Sequence, residues 1–570
     1  MPVIGVLHRG LLPGIRKSCR QLWRGLALCL LTSWPLAWAA DHPFAACCRW
    51  ESADETVDAH EATQRGEIVH TTDRLTVAQL QQMLAAHARA HDFPPCDDAT
   101  FLRRITFDLL GRPPTAEEFE AFIATSTPDK DTRLIERLLA DPAFGMHWAN
   151  YWSDVISFRV PPPELTYLDY RPFKRWLAEQ LNRDRPWDEI VQAILAASGK
   201  VKHHPAVTFV AYHGGHPQRL ATETARIFLS VQIGCAQCHD HPFDEWKRPQ
   251  FHELAAYFAR TRVKFPWNDG TETLVSDAGR GEYHMPDAVD PAKPGQEMIP
   301  TFLTGEASAL GLSDLERRRE LARQITHPEN RWFARAWINR IWAQLFGRGF
   351  YEPVDDFGLA VTPVHEDILQ ALSHEFVASN FDVKGILRLI TSTPAYRQRS
   401  QETVPTALMA LVPKPTKLTG DQLFAALQTA LELPNLTPPP IKPTPEMRFP
   451  PPPQSTRDLI AEGFNYDPSL KRQEIARNLP QAMLLMNFSQ LHHALQTSPG
   501  SNTCISRLVQ NHRHDPELIE VLFIRLLSRL PSPEESQTAL QMYAKIGNRE
   551  VATEDLVWSL INSTEFLTRP

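Results

Sequence analysis

The run Cys235-Ala236-Gln237-Cys238-His239 sets two thiols three residues apart with an imidazole directly after them, and Asp240-His241-Pro242-Phe243-Asp244 follows at once. This spacing is the attachment pattern of c-type haem: each thiol can bond to a porphyrin vinyl group, and the adjacent imidazole can reach the iron as proximal ligand. With 8 Cys and 22 His among 570 residues, chance placement yields roughly 0.004 such runs per chain, so the pattern is a selected one. Selection does not by itself specify haem. Cys235 and Cys238 with His239 or His241 also form one arm of a tetrahedral zinc site, the fourth ligand being remote, with Asp240 and Asp244 as outer carboxylates that orient the imidazoles. A Cys-x-x-Cys can equally close as a disulfide or act as a redox dithiol, although the βαβ pattern that accompanies thioredoxin-like chemistry is absent. The reading taken forward is haem c at Cys235, Cys238 and His239, which makes the chain a redox or electron-transfer protein with a partner protein. The alternatives are a zinc-dependent hydrolytic or structural protein and an extracellular interaction scaffold. A sixth haem ligand would come from His213, His216, His252, His284 or Met285, none of which has a distinguishing spacing.

Other candidates carry less chemistry. Glu352, Asp355 and Asp356, with His365 nearby, are potential acid–base groups, but such work needs two carboxyls at a defined separation, and a capped loop between helices accounts for them as well. His203-His204 and His492-His493 read as surface pairs. The nucleophile elbow, the phosphate-binding loop and the dinucleotide fingerprint are all missing.

The N-terminus reads as a secretory signal, residues 1–39. Arg9, Arg16, Lys17, Arg20 and Arg24 form the positive region, Leu26 to Leu36 the apolar stretch, and Ala37-Trp38-Ala39 a small-x-small cleavage site. The apolar stretch is too short for a comfortable membrane span. The expected mature protein is therefore exported, to the periplasm, cell surface or exterior, with no membrane span after cleavage. In an oxidising compartment thiols pair or take up metal or haem, so the remaining Cys47, Cys48, Cys96 and Cys504 are left with open pairings. The formal charge of −8 becomes −13 once five signal cations are removed, which argues against nucleic acid as a partner.

These residues must be positioned by helices. Leu80, Met83 and Leu84 share one face of a helix near 77–86, and Thr100 to Leu110 forms another that Gly111 and Pro113-Pro114 stop. Thr115 with Glu118 marks a capped helix start. Leu220 to Gly234 is an amphipathic helix into the Cys-x-x-Cys-His turn, and Gln250 to Ala259 leads away. Helical periodicity fades between about 264 and 311, an irregular loop or small β insertion. It returns in Arg331 to Phe346, whose aromatic stripe is read as core. Residues 433–455 are Pro-rich and cannot be helix interior. The expectation is a mostly α chain: an N-terminal extension at 40–74, a helical domain at 75–262, an irregular linker at 263–319, and a second helical domain at 320–567 containing the Pro-rich loop.

Several stretches resemble a known pair of families. Leu102-Arg103-Arg104-Ile105-Thr106-Phe107-Asp108-Leu109-Leu110-Gly111-Arg112-Pro113-Pro114-Thr115, then Arg137 to Gly145 with Trp148 and Trp152, and the Cys235 to Asp244 run, resemble the DUF1549 family. It is abundant in planctomycetes and is also called a planctomycete cytochrome-type domain. Asn339 to Gly349, Glu352-Pro353-Val354-Asp355-Asp356-Phe357, Pro480 to Asn487 and Asn562 to Leu567 resemble its usual companion, DUF1553. The resemblance implies a cytochrome-like site at the same five residues and no established activity. Many relatives add an N-terminal cytochrome c module, which Cys47-Cys48 does not supply.

Overall fold

Helix starts in this chain are written by short polar side chains. Thr76 and Thr115 each accept the amide three residues on, while Gln79 and Glu118 return the bond, which closes capping boxes on helices Val77–His87 and Ala116–Ala124. Asp97 caps Asp98–Leu110, and Gly111 ends that helix at φ 69°, a left-handed value that favours glycine. A Cβ there would also strike His147 Nδ1 at 2.4 Å.

The computed structural model describes residues 74–570 other than 89–93, 161–167, 170, 266–271, 360, 443, 445–451, 472–473, 477 and 499. The signal and the Cys47-Cys48 pair lie outside the described residues. The architecture is mostly α. Strands are few: Gly199–Lys200, Thr261–Lys264 and Leu274–Asp277 form an antiparallel sheet with 274–277 in the middle, and Tyr283–Pro286 pairs with Pro294–Met298 as a hairpin. Leu274–Asp277 and the hairpin fall in the stretch where helical periodicity fades, and Thr416–Lys417 pairs with Thr568–Arg569 elsewhere. Among the described residues no helix is long and apolar enough to cross a membrane.

The described residues pack as one compact unit around two apolar clusters. The larger runs from Leu80 to Val412, so helices on both sides of the β insertion share one interior. The aromatic stripe of helix Phe333–Phe346 lies inside it. Trp337 stacks on Phe376 at 4.1 Å, and Trp342 stacks on Phe346 at 4.2 Å while donating to the Ala410 carbonyl. The smaller cluster gathers residues 418–567 and one outsider, Phe107. Helix Asp98–Leu110 therefore serves both clusters, with Leu102, Ile105 and Leu109 in the first and Phe107 in the second.

The same helix carries charges into the interior. Arg103 donates to the carbonyls of Leu526 and Phe566, and Arg104 to those of Tyr396 and Gln398. Asp108 is paired with Arg569 (Nε to Oδ1 2.5 Å) and accepts from the Tyr396 hydroxyl. The residues that carry the DUF1549-like opening pattern thus hold the C-terminal segment onto the first helices. Removing one member of such a pair strands the other as a buried charge, so Asp108→Ala is expected to cost about 3–5 kcal/mol, read as a shifted urea midpoint.

A small cavity of about 40 Å³ lies between helix Ala143–Ser157 and the start of helix Gly420–Leu431, lined by His147, Trp148, Asn150, Asp154 and Asp421. Trp148 Nε1, Asn150 Oδ1 and Asp421 Oδ2 have no hydrogen-bond partner there, and a space of this size accommodates about three waters. Burial pushes the Asp154 carboxyl up to about 7, with repulsion from Asp421 adding to it. An acid raised in the folded state stabilises the protein fully below its unfolded pKa of about 3.9, and that contribution fades as pH rises through 7. Asp154→Asn removes the fading: its melting temperature should exceed the native protein's at pH 8 and converge with it toward pH 4.

Candidate functional site

Helix Pro217–Leu229 delivers the chain to the Cys-x-x-Cys-His run but stops five residues short of where periodicity predicts, because Ser230 turns left-handed at φ 53°. The cost of that backbone is offset locally: Ser230 Oγ donates to the Val354 carbonyl (2.9 Å), and its own carbonyl accepts from Phe357 N (2.7 Å). Val231 to Ile233 then run to a short 3-10 turn, Gly234–Gln237. Ala236 is fully buried at its centre, while Cys235 and Cys238 stand exposed and unbridged. Helix Arg248–Ala256 follows.

The turn is held from behind by a side chain that the sequence offered as an iron ligand. His252 is fully buried. Its Nε2 lies 3.0 Å from the Gln237 carbonyl and its Nδ1 2.9 Å from the Tyr283 hydroxyl. A carbonyl only accepts, so Nε2 carries the proton and Nδ1 receives the Tyr283 O–H. Burial lowers the His252 pKa and pushes Tyr283 up to about 12, which keeps both neutral. Both ring nitrogens are committed, so His252 is a support for the loop. The β insertion supplies Tyr283 and is thereby part of the site; no spacing in the sequence joins these two residues to the motif.

The two imidazoles of the motif differ in the tautomer their partners dictate. His239 Nδ1 sits 2.7 Å from the Asp240 carbonyl, so it donates, and the Nε2 lone pair is left for a ligand. His241 Nδ1 instead accepts from Phe243 N (3.3 Å), which leaves its proton on Nε2. The carboxylates do not orient these rings. Asp240 accepts from Arg248 N (3.0 Å), which with Lys247 holds it below the usual carboxylate range. Asp244 accepts from Glu245 N (2.8 Å) and Leu359 N (3.4 Å). Among the described residues no group of three or more His, Cys, Asp or Glu side chains is placed to hold a metal ion, so Cys235, Cys238, His239 and His241 do not converge on one point. Haem would need no such convergence, since one imidazole would hold its iron and the two thiols would bond its vinyl carbons.

The weaker acidic cluster proves to be the neighbour of the motif. Asp355 is buried and paired with Arg226 (3.0 Å) and Arg159 (3.1 Å); Arg340 first, then these two guanidiniums, hold it below the usual carboxylate range against its burial. Gln232 donates to the Asp355 carbonyl (3.1 Å). Asp356 faces Asp244 and His241; burial first, then the two carboxylates, raise its pKa. Glu352 pairs with Arg348 at 3.2 Å. His365 lies elsewhere, precedes helix Glu366–Ala378, and meets His87 and the Met409 carbonyl. His203-His204 and His492-His493 are exposed, as their sequence suggests.

His252→Phe should free the turn while retaining the ring's volume. The expected outcome, in protein made without haem, is faster alkylation of Cys235 and Cys238 by iodoacetamide at pH 8, by several-fold, with Cys96 and Cys504 still slow because both are buried.

The comparisons with known proteins match the earlier stretches of the motif pattern and end before Pro480 to Asn487 and Asn562 to Leu567. Residues 73–263 match the family PSCyt2, protein of unknown function (DUF1549), and residues 317–444 match PSD1, protein of unknown function (DUF1553). No curated protein and no solved structure gives a significant match to the chain. The first match contains the motif loop and the second contains the Asp355 loop that packs against it, so a DUF1549 segment and a DUF1553 segment of the chain meet at this site.

Proposed function

We propose that Cys235 and Cys238 anchor a c-type haem, that His239 is its proximal ligand, and that the protein is exported and transfers electrons. The observation that carries this reading is the His239 tautomer: Nδ1 is held by the Asp240 carbonyl and Nε2 is left with its lone pair, next to two exposed, unbridged thiols. Attachment adds each S–H across a vinyl double bond, forming a C–S bond with no electron to remove. Haem, once bound, supplies the one-electron couple. The chain's own residues do the rest. Ala236 and His252 fix the turn so that both sulfurs and the imidazole stay on its outer side, and His239 keeps one orientation through Asp240. Phe243, 82% exposed, and Leu359, 69% exposed, stand on two loops that Asp244 ties together. Such a small apolar edge beside an exposed redox group suits a transient redox partner.

The test is the absorption spectrum of protein made in an exporting host with cytochrome c maturation. A Soret band with sharp reduced α and β bands that survives acid–acetone extraction is expected. The Cys235→Ser, Cys238→Ser double variant should lose the colour on extraction, and His239→Ala should shift the reduced bands. A colourless native protein from a competent host would sink the proposal, and metal analysis of the same sample would then address zinc.

A further inference from the structure

The stretch between helices Gly420–Leu431 and Thr456–Phe464 is longer than the fold requires. The two helices pack on each other, and neighbouring helices are ordinarily joined by about two to eight residues. Here the chain leaves the interior at Leu433, which is fully buried, and returns only at Ser455, which caps the next helix. The two ends of the excursion meet at its base. Thr456 N donates to the Leu436 carbonyl (2.9 Å), Leu436 N to Thr456 Oγ1 (3.1 Å), and Arg457 N to Asn435 Oδ1 (3.1 Å). A stiff connector keeps two elements apart, and here nothing is kept apart. The residues from 437 to 455 are therefore an insertion on a closed base, and nine of them are proline.

Pro434 to Lys442 is exposed at every residue and has neither helix nor strand. Its conformation follows from its composition. The pyrrolidine ring fixes φ near about −65°, and a residue that precedes proline is pushed to extended backbone. Thr437, Pro438, Pro439 and Lys442 each precede a proline. The run Pro438-Pro439-Pro440 is thus one turn of polyproline II helix, held in that shape before any partner arrives. The helix repeats about every three residues and rises about 3.1 Å per residue, so Pro438 and Ile441 share an edge. Ile441 is 52% exposed, an aliphatic side chain offered to solvent beside the proline rings.

Three consecutive prolines present carbonyls and no N–H, so a partner cannot add itself along this run as a strand. What a partner can do is pack apolar faces on the pyrrolidine rings and Ile441, donate to the free carbonyls, and set a carboxylate opposite Lys442. Trp and Tyr do the first two at once, with a flat apolar body and a polar tip. We infer that Pro438 to Lys442 is displayed for a protein partner that receives it in a groove lined by aromatic side chains, with an acidic residue at the Lys442 end. Because the run is already in its bound shape, docking orders little that was free before. None of these residues takes part in the haem proposal, and the surface stands if that proposal fails.

Surface plasmon resonance with the full mature protein over three immobilised domains that carry such grooves, an SH3, a WW and an EVH1 domain, tests it. Saturable micromolar binding to at least one of them is expected. The triple variant Pro438→Ser, Pro439→Ser, Pro440→Ser should weaken that binding by roughly tenfold or more. Lys442→Gln should weaken it less and remove most of its salt dependence. The substituted side chains are exposed and lie beyond the closed base, so both variants should keep the native circular dichroism and melting temperature. Binding to none of the three domains, or equal binding by the triple variant, overturns the inference. Self-association in sedimentation that the triple variant abolishes also overturns it, since the occupant is then a second copy of this chain.

Discussion

The site rests on one buried ion pair. Arg226 in the last turn of helix Pro217–Leu229 and Asp355 in the loop after helix Phe333–Phe346 are 3.0 Å apart, with side chains 2% and 1% exposed. Neither charge is tolerable in the interior alone, and the geometry that satisfies one is fixed by the other. Arg226 also reaches the Val155 carbonyl and Ser469 Oγ, and Arg340 shares Ser469 from another helix. The pair thus locks five chain segments at a single point. Ser230, Gln232 and Phe357 add their bonds around it. The motif turn begins at the edge of this lock, so its position is set by residues of both family segments.

From there outward the site has a fixed floor and an open face. Ala236 and His252 close the interior side, and the carboxylates Asp240 and Asp244 are used to hold backbone amides at the loop's own corners. Acidic residues next to histidines invite a reading as ligand-orienting groups. Here their acceptor capacity goes to the first amide of the next helix and to the neighbouring loop, as polar side chains do at turns.

Much of the fold was legible in the sequence, because the signals concerned were local. Thr115 with Glu118, the Gly111 stop and the aromatic face of Phe333–Phe346 each act within a few residues, and each appears as read. The fading of periodicity after residue 264 marked the small strands. What was not legible depends on partners far apart in the chain. Nothing near Ser230 foretells its left-handed turn, which the loop at 354–357 stabilises from more than a hundred residues away. Tyr283 reaches His252, whose other nitrogen holds the Gln237 carbonyl, because the hairpin packs on helix Arg248–Ala256. The motif itself was plain from its five residues. The tautomers that separate His239 from His241 are properties of hydrogen-bond geometry alone.

The pairing of Asp108 with Arg569 spans 461 positions, and this bears on how the chain can be made. During synthesis the first helices emerge long before their counter-charge exists. A nascent chain that collapsed around Asp108 early would enclose a carboxylate with no cation, so the charge acts as a brake on premature closure. Final consolidation waits for the last residues, and contacts of such long range make that step slow and leave apolar surface open meanwhile. How long that surface stays open is set by where one aspartate found its partner.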